Sequence, residues 1–173
     1  VLIKENLGAL EGVSVERLRD EMLKLLKTPR PGQAIEDLGA LDILPRILPE
    51  VQAMINVPQS APHYLPVFEH TMRVLDWVPE LTALSNTFEA LMPLRESLTD
   101  YLHESLAGNE TRANLIALAA LLHDIGKPQT FHQGDDGRIR FWDHPQIGAE
   151  VAEAILTRWH LSRQSLRFVA ALV

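Results

Sequence analysis

Residues 114–128 read Asn-Leu-Ile-Ala-Leu-Ala-Ala-Leu-Leu-His-Asp-Ile-Gly-Lys-Pro, and this stretch decides the fold. Its first nine residues are nearly all apolar, so they predict a buried helix. His123 and Asp124 follow, and then Gly126 turns the chain before Pro128. Neighbouring residues on a helix point about 100° apart. An imidazole and a carboxylate in sequence therefore reach one ion only where the helix ends, which predicts a metal site at this edge.

The ion predicted at this edge is a divalent metal. Imidazole nitrogen and carboxylate oxygen suit Mn, Fe, Ni, Co, Zn or Mg, and the chain has no cysteine that would favour softer metals. His70 lies in an earlier helical stretch, and His144 precedes Pro145 at a predicted helix start. We expect His123 and Asp124 to be metal ligands, and His70 is a candidate third ligand. A lone histidine like His70 is otherwise more often a packed core residue, and His144 alone also suits a simple turn.

The composition limits the class of protein. With 173 residues, 46% of them hydrophobic, the chain can bury a real core. No apolar run approaches the ~18 residues of a membrane span, no signal-peptide pattern opens the sequence, and the lack of cysteine fits a reducing compartment. We therefore expect a cytoplasmic protein without membrane contact. The net charge is −7, and residues 61–110 hold two basic and eight acidic side chains. No basic stripe is present, so we expect no DNA partner.

Helical periodicity covers almost the whole chain, so the predicted fold class is all-α. Ser14 and Ser162 suit helix N-caps, and Pro31 and Pro145 suit first helical turns. The predicted helices span about 15–28, 31–39, 41–55, 65–78, 80–106 with a kink or a division at Pro93, 111–125, 145–159 and 163–173. One short β-hairpin is predicted over residues 130–142, where Asp136-Gly137 indicates a tight turn. Residues 56–62 contain two prolines and no periodicity, so they predict a connector between segments 1–55 and 56–173.

Basic side chains near the predicted site suit a phosphate group. Lys127 comes three residues after Asp124, beside the predicted metal site at the helix end (here called the metal edge, His123 and Asp124). It is a compact cation, although a solvated lysine is the simpler alternative. Arg73 lies three residues after His70 and would share its helix face, but a salt bridge to Asp76 or Glu69 is equally consistent. Rim positions are expected for Thr130, Arg138 and Arg140. The remaining histidines are interpreted as surface or packing residues, and they are His63, His103, His132 and His160.

Several motifs together resemble the HD-domain superfamily of metal-dependent phosphohydrolases. They are Val67-Phe-Glu-His-Thr-Met-Arg-Val-Leu75, Leu121-Leu-His-Asp-Ile-Gly-Lys-Pro128 and Gly137-Arg-Ile-Arg-Phe-Trp-Asp-His144 with Gly148-Ala149. Residues 12–26 and 38–51 are similar to the helices after the head of CCA-adding tRNA nucleotidyltransferases and poly(A) polymerases. The resemblance implies an HD-domain helical bundle over 56–173, preceded by a helical neck over 1–55.

The family resemblance also implies a function and roles for the site residues. The activity would be 2′,3′-cyclic phosphodiesterase, 2′-nucleotidase or phosphatase, acting on a nucleotide or RNA 3′-end phosphate, with tRNA as a partner. His70, His123 and Asp124 would hold the ion. Asp124 would also orient the attacking water, while Lys127, His144 and Arg73 would bind the phosphate. In many HD domains a histidine placed like His144 contacts a second metal or the phosphate.

The sequence departs from the family at two points. No stretch has the glycine turn and paired aspartates of a nucleotidyltransferase head, so we expect no nucleotide addition by this chain alone. HD domains usually complete the site with a later aspartate, which we expect beyond Val173, so the HD domain would be truncated at its C-terminus. Two alternatives stay open. One is a non-catalytic tRNA-binding helical module, and the other is a second-messenger phosphodiesterase with the same ligands.

Overall fold

The computed structural model describes residues 2–108 and 110–173, with residues 86 and 87 described by their backbone alone. It is predominantly helical, which confirms the predicted all-α fold class. The α-helices are α1 Leu2–Glu5, α2 Val15–Leu25, α3 Pro31–Ala40, α4 Leu44–Ile47, α5 Pro49–Gln52, α6 Val67–Thr82, α7 Arg95–His103, α8 Arg112–Leu122, α9 His144–Arg158 and α10 Arg163–Ala170. Short 3₁₀ helices span Leu7–Gly12 and Asn86–Leu94. The strands are β1 Ser105–Ala107, β2 Glu110–Thr111, β3 Phe131–Gln133 and β4 Ile139–Phe141.

The helix predicted over 80–106 is not one helix, because the end of α6, a 3₁₀ helix, α7 and the first residues of β1 occupy this range. Helix α6 passes through Pro79 and ends at Thr82, and Leu84 then adopts a left-handed φ of 50°, which a helix cannot continue. The 3₁₀ segment that follows is itself interrupted at Phe88. The α-helix resumes at Arg95, directly after the predicted kink.

The predicted hairpin over 130–142 is confirmed. Strands β3 and β4 pair antiparallel around a turn in which Gly137 has a φ of +74°. A second antiparallel pair, β1–β2, was not foreseen. Its strands have three and two residues, which is too short for an alternating pattern to show in the sequence.

One hydrophobic core joins the first 55 residues to the rest of the chain. Met22, Ile35 and Leu48 from the N-terminal helices belong to the same buried cluster as Leu118 of α8 and Ile155 of α9. Helix α8 supplies most of its apolar residues to this core, as its sequence predicts, and it packs against α6, α7 and α10. The C-terminal end of α8 is therefore held firmly beside α6.

An ion pair on the surface also joins the two parts of the chain. Glu50 in α5 accepts hydrogen bonds of 2.7 and 3.1 Å from the guanidinium of Arg158 in α9. Partial burial by itself would raise the pKa of Glu50, but the bonds and charge of Arg158 outweigh burial and lower it. We expect Glu50→Gln to destabilise the protein at pH 7 by about 1 kcal/mol or less, since water screens such pairs.

The effect of Glu50→Gln should depend on pH. Because the pKa of Glu50 is depressed in the folded protein, its stabilisation is present above the unfolded pKa of about 4.3 and is lost as the pH falls through the folded value. Urea unfolding at stepwise lower pH checks this. Glu21→Gln is the control, because Glu21 pairs with Lys24 on the same helix and both side chains are largely exposed. A destabilisation by Glu50→Gln that stays constant to about pH 3 would contradict this explanation.

Within residues 2–108 and 110–173, no helix combines the length and the hydrophobicity needed to cross a membrane.

Candidate metal centre

His70, His123 and Asp124 come together where α6 passes the end of α8. One potential ligand atom from each lies within 4.8 Å of the others. The Nε2 atoms of His70 and His123 are 3.9 and 3.3 Å from Oδ2 of Asp124. Atoms that are each about 2.0–2.2 Å from one ion lie roughly 3–4 Å apart. The spacing and the nitrogen–oxygen donor set therefore fit a divalent ion.

Gly126 allows the chain to turn tightly after this pair. A Cβ at Gly126 would overlap the carbonyl oxygen of His144 and lie 2.6 Å from the amide nitrogen of Gly148. Only glycine permits so close an approach to the first turn of α9. The same contact brings His144 to the side of the metal edge.

Backbone carbonyls orient two of the imidazoles. Nδ1 of His123 lies 2.8 Å from the carbonyl oxygen of Ala120, and Nδ1 of His144 lies 2.7 Å from that of Phe141. A carbonyl can only accept, so each Nδ1 carries a proton and Nε2 is the ring nitrogen left for other partners. Nε2 of His123 lies 3.3 Å from Oδ2 of Asp124, so it donates to that carboxylate when protonated and can bind an ion once deprotonated. The bond at Nδ1 fixes the ring in this orientation, which is how second-shell bonds prepare a histidine ligand.

Lys127 and Gln59 fix the carboxylate of Asp124. The ammonium of Lys127 donates 2.7 Å hydrogen bonds to Oδ2 of Asp124 and to Oε1 of Gln59. Both Asp124 and Lys127 are buried, with 4% and 5% of their surface exposed. Burial alone would raise the pKa of Asp124, but hydrogen bonds from His123 and then Lys127 hold it well below its usual range. Asp124 is therefore an anion at neutral pH, as a metal ligand must be.

The two ligand histidines have pKa values that move in opposite directions. Burial lowers the pKa of His70, although the charge of Asp124 partly opposes it. Burial also disfavours the charged form of His123, but its hydrogen bond to Asp124 outweighs burial and raises the pKa. His70 is accordingly neutral and ready to bind an ion, whereas a proton competes with the ion for Nε2 of His123.

The three residues open into a cavity of about 500 Å³. Its walls come from the metal edge, from the loop before α6 and from β4 with the start of α9. The lining residues are Gln59, Ser60, Ala61, Pro62, His63, His70, His123, Asp124, Lys127, Ile139, Arg140, Phe141 and His144. A hydrogen bond of 2.8 Å from the Ile139 amide to the Ser60 hydroxyl ties the loop to the hairpin.

Sequence reasoning missed two residues of this cavity. Gln59 holds Lys127, and the exposed imidazole of His63 has its centroid 5.1 Å from that of His70. His63 was interpreted only as a surface or packing residue. No local motif marks either position, because the loop of residues 56–66 reaches the site only through tertiary contacts.

The other predicted site residues fall into two groups. His144, Lys127 and Arg140 line the cavity as expected. Arg73 does not line it and its side chain is exposed. Three residues advance a helix by about 300°, so Arg73 points some 60° away from His70, towards solvent. Thr130 instead donates to the carbonyl of Gly126.

Comparison with known proteins agrees with this geometry. A family model described as "HD domain" matches residues 67–173, and a model described as "Probable RNA and SrmB- binding site of polymerase A" matches residues 1–55. The A-adding tRNA nucleotidyltransferase of Deinococcus radiodurans is 34% identical over 167 residues, which are 96% of this chain and 32% of that protein. The CC-adding tRNA nucleotidyltransferase of Thermus thermophilus is 33% identical over 159 residues, which are 91% of this chain and 30% of that protein. The chain spans about a third of the length of these curated relatives.

A helical bundle that gathers two histidines and an aspartate at a helix end defines a class of metal-site domains. The matched residues identify the class further, and the chain belongs to the HD-domain family. Its relatives are tRNA nucleotidyltransferases that align over the HD region. The resemblance drawn from the sequence is confirmed.

Proposed function

We propose that this chain is a divalent-metal phosphohydrolase that acts on a nucleotide or RNA-end phosphate. The observation that carries the proposal is the His70, His123 and Asp124 group, which opens into a cavity large enough for a phosphate and a ribose. The names of the relatives and the RNA-binding model over residues 1–55 support an RNA substrate, with tRNA as a partner. The division into a neck over 1–55 and an HD domain over 56–173 is part of this proposal.

The donor set fits a divalent ion such as Mn, Fe, Ni, Co, Zn or Mg. When bound, such an ion supplies Lewis-acid activation of water and of the phosphoryl group. Asp124 meets both requirements of a ligand, because it is ionised and its position is fixed by Lys127. His70 meets them as a neutral imidazole.

The remaining polar groups of the cavity are placed to stabilise negative charge on the substrate phosphate. Hydrolysis forms a bond from water oxygen to phosphorus and breaks the bond from phosphorus to a ribose oxygen, and the proton that the water loses is balanced by the proton that the leaving ribose oxygen gains. Negative charge grows on the phosphoryl oxygens during this step. Lys127 has three N–H donors and uses two of them on Asp124 and Gln59. We assign its third donor to the phosphoryl oxygens and Asp124 to the orientation of water. We also assign His144 to the phosphoryl oxygens, to which its Nε2 donates when that nitrogen carries a proton as well.

The direct test is hydrolysis of 2′,3′-cyclic AMP by the purified chain. Protein stripped with a chelator is supplemented in turn with Mn, Ni, Co and Mg. We expect turnover that depends on the ion and is absent in the stripped protein. His103→Ala is a matched control, because its exposed imidazole lies outside the cavity and should not affect turnover. A folded chain that shows no turnover with any ion would overturn the proposal.

A non-catalytic RNA-binding module is the second candidate function. The model that matches residues 1–55 favours it, since its description names a probable RNA-binding site. This module would bind tRNA with a steep dependence on salt and would not turn over 2′,3′-cyclic AMP. A second-messenger phosphodiesterase would instead prefer cyclic dinucleotides, and direct competition between the two substrates separates it from the first proposal.

A further inference from the structure

The β3–β4 hairpin carries rings on both of its faces. Phe131 pairs with Phe141, and His132 pairs with Arg140. Directly paired residues project from the same face, and residues two positions apart on a strand share a face. Phe141 lies towards the cavity, with its ring 5.4 Å from the ammonium of Lys127. His132 and Arg140 accordingly lie on the other face, where the ring of His132 is 4.9 Å from that of Trp142.

Trp142 is one of several large hydrophobic side chains that are accessible, with 60% of its surface exposed. Its ring plane is tilted by 31° from that of His132, so the two rings are closer to parallel than to perpendicular. Cross-strand ring pairs stabilise a hairpin, and this explains why His132 and Trp142 meet. It does not explain an indole left mostly in solvent beside a cavity that holds a candidate metal group.

We propose that His132, Arg140 and Trp142, here called the hairpin face, stack an unpaired base of RNA. The proposal rests on the proposed function, because it places the base next to the end phosphate that enters the cavity. Trp142 of the hairpin face lies in the chain between Phe141 and His144, which both line the cavity. The two sites are therefore continuous, and a strand can follow the hairpin from one to the other.

We expect the hairpin face to bind RNA through stacking and not through an excess of positive charge. Arg140 is already paired with Asp136, by bonds of 3.0 and 2.6 Å, and Asp135 and Asp143 lie nearby in the sequence. A surface with matched charges gains little from releasing counterions around phosphates. Every base has an aromatic face, so binding by stacking tolerates any sequence. We expect binding of unpaired RNA that depends only weakly on salt.

The test is binding without turnover. Fluorescence anisotropy of a short labelled oligoadenylate RNA is measured with the full chain in the presence of a chelator. Trp142→Ala should weaken binding by roughly 5- to 150-fold, the effect expected for one stacked base. Trp142→Phe should keep most of the affinity, because phenylalanine still offers a ring. Trp77→Ala is the matched control, since Trp77 is 54% exposed but lines a different cleft.

An abasic strand of the same length separates stacking from charge. It should bind weakly to both the wild type and Trp142→Ala. Equal binding of RNA by the wild type and Trp142→Ala, or equal binding of the abasic strand and the RNA by the wild type, would overturn the proposal. Because no metal or turnover is involved, binding that depends on Trp142 supports the hairpin face even if 2′,3′-cyclic AMP is not hydrolysed.

Discussion

Replacing Asp124 by asparagine should weaken the binding of a divalent ion by at least about 100-fold and abolish metal-dependent hydrolysis. Loss of a group that only supports a ligand already costs about 10- to 100-fold in metal affinity, and Asp124 is itself the proposed ligand. Asparagine has nearly the same size, so packing is preserved while the charge is removed. Calorimetric titration of Mn or Ni into the wild type and Asp124→Asn measures the effect.

The variant should also be less stable without metal. Lys127 is buried and donates to Asp124, so Asp124→Asn leaves the buried ammonium bonded to a neutral acceptor, without its counter-charge. This costs about 1–3 kcal/mol. Stability and metal binding must therefore be separated. Adding Lys127→Met to Asp124→Asn removes the buried charge as well, and replacing both partners of a buried pair is often close to neutral.

The double variant should consequently regain stability in urea unfolding but still fail to bind the ion. Such a result would assign the loss of binding to the missing carboxylate and exclude a damaged fold. If Asp124→Asn binds Mn or Ni as tightly as the wild type does, Asp124 is not a ligand and the proposed centre is wrong.

The metal edge could be predicted because everything that forms it is local. Fifteen residues of sequence contain the apolar run, both potential ligands, the glycine and the proline. Helix geometry alone then predicts where the ligands can converge. His70 needed the family resemblance, since one histidine on an apolar face does not reveal what it faces. The structure supplies the missing information by placing α6 against α8.

The loop that forms one side of the site could not be predicted, because its position depends on contacts between distant segments. Gln59 and His63 lie in a loop that has no periodicity, and its path follows from hydrogen bonds such as that of Ser60 with Ile139. Arg73 was placed near the phosphate by helix spacing, but a difference of about 60° is enough to send a side chain into solvent. The end of α6 at Thr82 also has no signal in the sequence. The residue that adopts the left-handed φ there is Leu84, where a glycine would have indicated the end of the helix.

Gly32→Ala should destabilise the protein by about 1–3 kcal/mol and lower Tm by roughly 2–12 °C. Gly32 lies in α3, and its amide donates a 2.6 Å hydrogen bond to Oδ1 of Asp76 in α6. A Cβ at this position would overlap the carbonyl oxygen of Met72 and lie 2.9 Å from Oδ1 of Asp76. Backbone cannot move aside as the end of a flexible side chain can. The alanine would therefore force α3 away from α6, the helix that carries His70.

The same helix provides a matched control with the opposite expected sign. Gly39 also lies in α3, but a Cβ there would meet only the Leu44 side chain, at an ordinary contact distance of 3.9 Å. Alanine favours a helix over glycine by up to about 1 kcal/mol, so Gly39→Ala should leave stability unchanged or raise it. Thermal and urea unfolding of both variants measure the difference. If Gly32→Ala proves as stable as Gly39→Ala, backbone contact does not set the distance between α3 and α6, and α3 is held by its buried side chains alone.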